Sequence, residues 1–196
     1  MTTFAQMMIT ALLAVTTENI LFAGGVGFSH VLRAARRPKT LGVYSLFVAL
    51  FSLFSAVGGS WISAKLAGSV FRPVLFPSAA AFCAALAYIL VALLLKFLPF
   101  PFYKQYGQVL APAAINTVVL SMPFAVNRFS LSPASAVGYA LGTGIAFYLA
   151  AGFFARAMPE LKNDAMPKAF RGLPATLLYI GILSMAFAGL VGTKLF

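Results

Sequence analysis

Residues 4–30 read FAQMMITALLAVTTENILFAGGVGFSH. The run over about residues 4–24 has the ~20-residue length an apolar helix needs to cross the hydrocarbon core of a bilayer. Yet it carries a carboxylate, Glu18, with Asn19 beside it, and it runs out into Gly24-Gly25-Val26-Gly27. At ~1 kcal/mol per glycine relative to alanine, that cluster is a poor interior for a continuous helix. The stretch therefore predicts a membrane span that breaks or re-enters near its middle. Backbone broken at membrane depth is tolerated only inside protein or beside a cavity. Asn19 is then either a lining residue of a functional site or a plug for the backbone groups that the break frees.

Outward from this stretch, further apolar runs of spanning length follow at about 41–64, 73–98, 106–125, 133–157 and 172–194, so the sequence predicts about six transmembrane helices. The composition agrees: 62% of residues are hydrophobic and 9% charged, against roughly 45–50% and about 25% in soluble domains. So few charges cannot cover a water-exposed surface. The net charge of +11 raises the question of nucleic acid, but the basic residues sit in gaps between apolar runs and form no basic face on any one helix. They read as topology signals and headgroup contacts, with the lipid bilayer as their partner and no nucleic acid. The N-terminal run lacks the basic leader of a cleaved signal and is expected to remain as the first span. The single cysteine, Cys83, lies in an apolar run and reads as a buried structural thiol.

The gaps after spans 1, 3 and 5 hold Arg33, Arg36, Arg37, Lys39, Lys96, Lys104, Arg156, Lys162, Lys168 and Arg171, whereas the alternate side holds Lys65, Arg72, Arg128 and Lys194. By the positive-inside rule both termini are expected on the non-cytoplasmic side of the cell (inner or plasma) membrane. The chain reads as one membrane domain, 1–196, with a first repeat over about 1–98 and a second over about 99–196. With three spans each, such repeats must lie in opposite orientations across the membrane, an architecture of many transporters. Thr17-Glu18-Asn19-Ile20-Leu21 in span 1 and Ile115-Asn116-Thr117-Val118-Val119 in span 4 are alike in setting an Asn beside another polar residue in mid-span.

Glu18 is the only acid within a span; Glu160 and Asp164 lie in a connector. An ionisable group at this depth costs a few kcal/mol or more, so it is an ion or proton site or a structural hydrogen-bonding group facing protein. In span 4, Pro112 removes a backbone donor, and Asn116, Thr117 and Ser121 can replace lost bonds. Glu18, Asn19, Asn116 and Thr117 are thus the candidates for a polar midplane site or ion path. His30, close to Arg33 and Arg36, reads as interfacial, since one histidine makes no metal site without partners. No catalytic residues and no metal site are expected: phosphate-binding loops, cysteine pairs, Ser/His/Asp sets and paired carboxylates are all missing from the sequence.

In order and at similar spacing over essentially the whole chain, several motifs resemble the RnfA/NqrE-type subunits of Rnf and Na+-translocating NADH:quinone oxidoreductase complexes. These are Thr17-Glu18-Asn19-Ile20, Gly27 and the basic connector, Tyr103, Gly107, Leu110, Asn116, Val137-Gly138-Tyr139-Ala140, Gly144, Pro167, Phe170-Arg171-Gly172-Leu173 and Gly181-Ile182-Leu183-Ser184-Met185-Ala186-Phe187.

The resemblance implies an all-α fold of six helices in two inverted three-helix repeats, with helices 1 and 4 broken at the membrane centre. It also implies pairing with a homologous membrane subunit of opposite topology, together with the other subunits of a complex that couples electron transfer to cation transport. The family's cofactor is a [2Fe-2S] cluster held by a cysteine from each broken helix, and the matching positions here are Ser29 and Thr117. Hydroxyls are poor substitutes for thiolate ligands of iron, so no cofactor is expected on this chain. The sequence thus reads as an RnfA/NqrE-like membrane subunit of an ion-translocating electron-transport complex without its own cluster ligands, and not catalytic alone. The alternatives are a divergent inverted-repeat transporter or channel-like protein for a cation or small solute, and a purely structural assembly partner.

Overall fold

The computed structural model describes residues 3–97, 101–163 and 166–191. Asp164 and Lys194, which figure in the sequence patterns, lie outside them. The described residues form eight α-helices, one 3-10 turn (Pro38–Thr40) leading into the third, and no strand: α1 (Thr3–Val15), α2 (Phe28–Ala35), α3 (Leu41–Lys65), α4 (Arg72–Phe97), α5 (Pro101–Ala114), α6 (Thr117–Arg128), α7 (Pro133–Glu160) and α8 (Leu173–Val191). The order short, break, short, long, long therefore occurs twice. Proline and glycine punctuate it as local chemistry requires. Pro133 starts α7 behind the Ser132 cap, whose Oγ accepts from Ser135 N at 3.3 Å, and Gly68, at φ 84, turns the chain between α3 and α4.

Four helical segments, Pro38–Lys65, Arg72–Phe97, Pro133–Glu160 and Leu173–Leu190, are long and apolar enough to cross a membrane. The pair Tyr106–Ala114 and Thr117–Arg128, bent by 40°, meets the same length and composition requirement when its two halves are taken as one span. The remaining segment of the sequence reading, 4–24, is divided: α1 stops at Val15 and helix resumes only at Phe28. Thirteen residues at ~1.5 Å each reach only about two-thirds of the way across the hydrocarbon core. The protein is thus an all-helical, polytopic membrane protein in which both opening segments are broken.

Packing centres on α3 and α7, whose spanning windows are 50% and 61% buried, against 22% and 11% for α4 and α8. The apolar side chains that α4 and α8 leave exposed, such as Phe82, Ile89, Ile182 and Met185, give the all-round apolar surface of bilayer-facing helices. The two halves interlock. The α1 helix of the first half runs along α7 of the second, because Gly138 and Gly142 lack the Cβ that would strike the backbone of Met7 and Ala11. The broken pair α5–α6 of the second half runs along α3 of the first: Tyr44 donates to Pro112 O at 2.9 Å, Ser55 to Val119 O at 2.8 Å and Ser63 to Asn127 Oδ1 at 3.2 Å. Both docked pairs are parallel. Between themselves α3 and α7 run antiparallel, with Gly144 against Ala49 and Tyr44 stacked on Phe147 at 5.4 Å.

The pairing offset between α3 and the broken pair is 68 residues at Tyr44–Pro112 and 64 at Ser55–Val119. The break absorbs part of the difference: Asn116 is extended, at φ −100 and ψ 134, and an extended residue advances ~3.3 Å where a helical one advances ~1.5 Å.

Because a methyl at Gly138 or Gly142 would meet backbone that cannot swing away, Gly138→Ala and Gly142→Ala should each destabilise the protein by about 1–3 kcal/mol. Gly152→Ala, in the same helix with nothing within 4 Å of the added carbon, should not. Thermal unfolding in detergent reads the contrast, and equal melting temperatures for all three would refute the close α1–α7 contact.

Candidate functional site

Both breaks free backbone groups that water cannot reach, and an asparagine answers each. Asn19 is 1% exposed. Its Nδ2 donates to the terminal α1 carbonyl, Val15 O, at 2.9 Å, and its Oδ1 accepts from Leu21 N at 3.0 Å and Phe22 N at 3.3 Å. Tyr139 of α7 donates to Glu18 O at 2.7 Å, anchoring the break to the core. In the second break Asn116, fully buried, caps α6 by accepting from Val118 N at 3.0 Å. Its Nδ2 has no partner among the described residues. The freed Pro112 carbonyl accepts a hydrogen bond from the Tyr44 hydroxyl. Of the two roles open to Asn19, plugging the break is the one its bonds fulfil.

The breaks touch. Gly27, at φ 87, is the left-handed residue that starts α2, and a side chain there would collide with Val118 and approach Asn116 Oδ1. Ser29 and Thr117 therefore lie in the first turns of two half-helices whose starts are in contact, and both are exposed, as are Ala23, Gly24, Gly25 and Ile115. Cys83 is elsewhere, on α4 with Sγ 3.2 Å from the carbon that Gly58 lacks, and it is half-buried rather than buried as the sequence suggests.

Of the four midplane candidates, Glu18 and Asn19 share a cavity of about 290 Å3 with Ser121, Arg128, Phe129 and Tyr139. Asn116 and Thr117 do not line it, because the rotation of α6 that buries Asn116 turns Thr117 outward. Glu18 is half-buried, and among the described residues its carboxylate forms no ion pair or hydrogen bond. A carboxylate in the lining of a small, mostly apolar cavity can attract a cation or exchange a proton, and Arg128 in the same lining sets an opposing charge. No group of three metal-ligating side chains occurs among the described residues. His30 Nδ1 lies 3.3 Å from the hydroxyl of Tyr44, the residue that bonds the Pro112 carbonyl at the second break. The residues that sequence reasoning missed are Tyr44, Ser55 and Tyr139. Each acts on backbone over 60 or more positions away, and the one available signal was a hydroxyl inside an otherwise apolar run.

No family model matches the chain. Over 187 residues, 91% of this chain and 93% of the relative, it is 27% identical to a protein of the ion-translocating oxidoreductase complex of Syntrophotalea carbinolica, the component lettered A. It is 30% identical over 93 residues (47% of this chain, 48% of the relative) to the correspondingly lettered component of the Na(+)-translocating ferredoxin:NAD(+) oxidoreductase complex of Acetobacterium woodii. A third relative, 28% identical over 112 residues (57% of this chain, 55% of the relative), is the component lettered E of the Na(+)-translocating NADH-quinone reductase of Pseudomonas paraeruginosa.

Replacing Asn19 by Ala leaves Val15 O, Leu21 N and Phe22 N without partners, at about 1–3 kcal/mol for each buried group left unpaired. Asn19→Ala should therefore lower the melting temperature in detergent. Equal melting curves for Asn19→Ala and the parent protein would remove the plugging role.

Proposed function

We propose that the chain, similar over most of its length to one component of an ion-translocating oxidoreductase complex and in part to components of two more, is an RnfA/NqrE-type membrane subunit of such a complex. In this reading it pairs with a homologous subunit of inverted topology through the face that carries the two breaks. The observation that carries the pairing is the exposure of Ala23, Gly24 and Gly25 and of Ile115. Irregular backbone at membrane depth is not tolerated against lipid, so this face needs protein cover. The interlocked halves, with α3 and α7 antiparallel in equivalent places, support two inverted repeats over about 1–98 and 99–196. The basic connectors support termini on the non-cytoplasmic side.

The [2Fe-2S] cluster that the family resemblance implies does not fit this donor set. Ser29 and Thr117 offer hydroxyls, which ionise far less readily than a thiol of pKa ~8.5, and Cys83 is half-buried on another helix, against Gly58. The chain is therefore a scaffold subunit that supplies no cluster ligand, with Glu18 and its cavity as a candidate segment of the cation path. That same cavity favours the second reading, a divergent transporter or channel-like protein, and the partners decide between them.

Purification of the tagged chain in mild detergent is expected to bring down a homologous membrane protein of inverted topology together with flavin- or ferredoxin-like subunits. A chain that purifies alone, with cation transport intact, would establish the transporter reading in its place. In the purified complex, Ser29→Ala/Thr117→Ala should leave iron content and cluster absorbance unchanged, and a loss of iron would refute the ligand argument. Glu18→Gln should lower cation-dependent turnover severalfold without loss of assembly; unaltered cation dependence removes Glu18 from the path.

A further inference from the structure

Where α2 gives way to α3, a concavity of about 470 Å3 lies at the basic end of the bundle, lined by Arg33, Arg36, Arg37, Thr40, Tyr44 and Gln108 among others. None of its lining residues is acidic. Among the described residues, the three guanidinium groups and the Gln108 amide form no ion pair or side-chain hydrogen bond. The Thr40 and Tyr44 hydroxyl protons are already donated, to Arg37 O and Pro112 O. The free hydrogens that remain are therefore those of strong donors: three cationic forks and one carboxamide. Such a set is self-repelling when empty and complements an oxygen-rich anion, since a guanidinium grips phosphate oxygens in pairs.

The level in the membrane narrows the ligand. Arg33, Arg36 and Arg37 precede Leu41, where the spanning helix α3 starts, so the donors lie at headgroup depth, where basic pockets between transmembrane helices hold anionic lipid headgroups. The rest of the lining, Ala34, Val109 and Pro112, is mostly apolar, as suits the glycerol end of a lipid. We propose that this concavity is a binding site for a phosphate-bearing anion, supplied by the headgroup of an anionic phospholipid. The site depends neither on the redox assignment nor on Glu18.

The test uses the delipidated full-length chain and native mass spectrometry, with phosphatidylglycerol, phosphatidylcholine and inorganic phosphate as probes. Phosphatidylglycerol should be retained in preference to phosphatidylcholine, and Arg36→Gln/Arg37→Gln should weaken its retention by about 30-fold. Gln108→Leu, which keeps every charge, should weaken it less, and Lys65→Gln, at the other end of α3, should not change it. Inorganic phosphate binding with the same dependence on Arg36 and Arg37, without lipid retention, would support the phosphate site with a soluble source. Equal retention of both lipids, or retention by the double variant equal to that of the parent, would overturn it.

Discussion

A backbone that stops being helical inside a bilayer must find hydrogen-bond partners within the protein, and the architecture follows from that demand. Each break sheds carbonyls and amides where water is absent. The protein satisfies them in two layers. Asn19 and Asn116 act locally, turning back on residues two to four positions away. Tyr139, Tyr44 and Ser55 act at long range, from the two helices most buried in the bundle. Both layers are necessary: the local bonds shape the break, and the long-range bonds tie it to the core so that it holds its position in the membrane.

This division also sorts what could be foreseen. The spans that became α3, α4 and α7 were legible nearly to the residue, because long apolar runs between charged or proline-bearing gaps leave few other foldings: about 41–64 became Leu41–Lys65, and 73–98 became Arg72–Phe97. The first break was legible too, from Gly24-Gly25-Val26-Gly27; the second was implied by the family resemblance, since Pro112 signalled only a missing donor and lies inside α5, ahead of the break. The point at which the first helix ends was not legible. Glycine propensity centres the interruption after Asn19, whereas α1 ends at Val15, because Tyr139 and the Asn19 side chain offer the backbone a better set of partners than another helical turn. Such partners are non-local and leave no local trace in the sequence.

The site was legible in part for a related reason. Glu18 and Asn19 stand out chemically in an apolar run, and they do share a cavity. Asn116 and Thr117 look equivalent to them in sequence, yet a helical rotation of about 100° per residue sends such neighbours to different surroundings: Asn116 inward as a cap and Thr117 outward to the face of the breaks. Residue type announced polarity, and only the start of α6 decided the direction.

The interlocking of the halves bears on how the protein is made. The groove for α1 is cut by Gly138 and Gly142, more than a hundred residues downstream, and chains emerge from the ribosome N-terminus first. During synthesis the first segment must therefore wait in the insertion machinery or among lipids, its interrupted backbone lacking the Tyr139 hydroxyl, until α7 arrives. Biogenesis is the stage at which this architecture is most vulnerable, and insertion factors that shelter polar intermediates are the natural guardians of that interval.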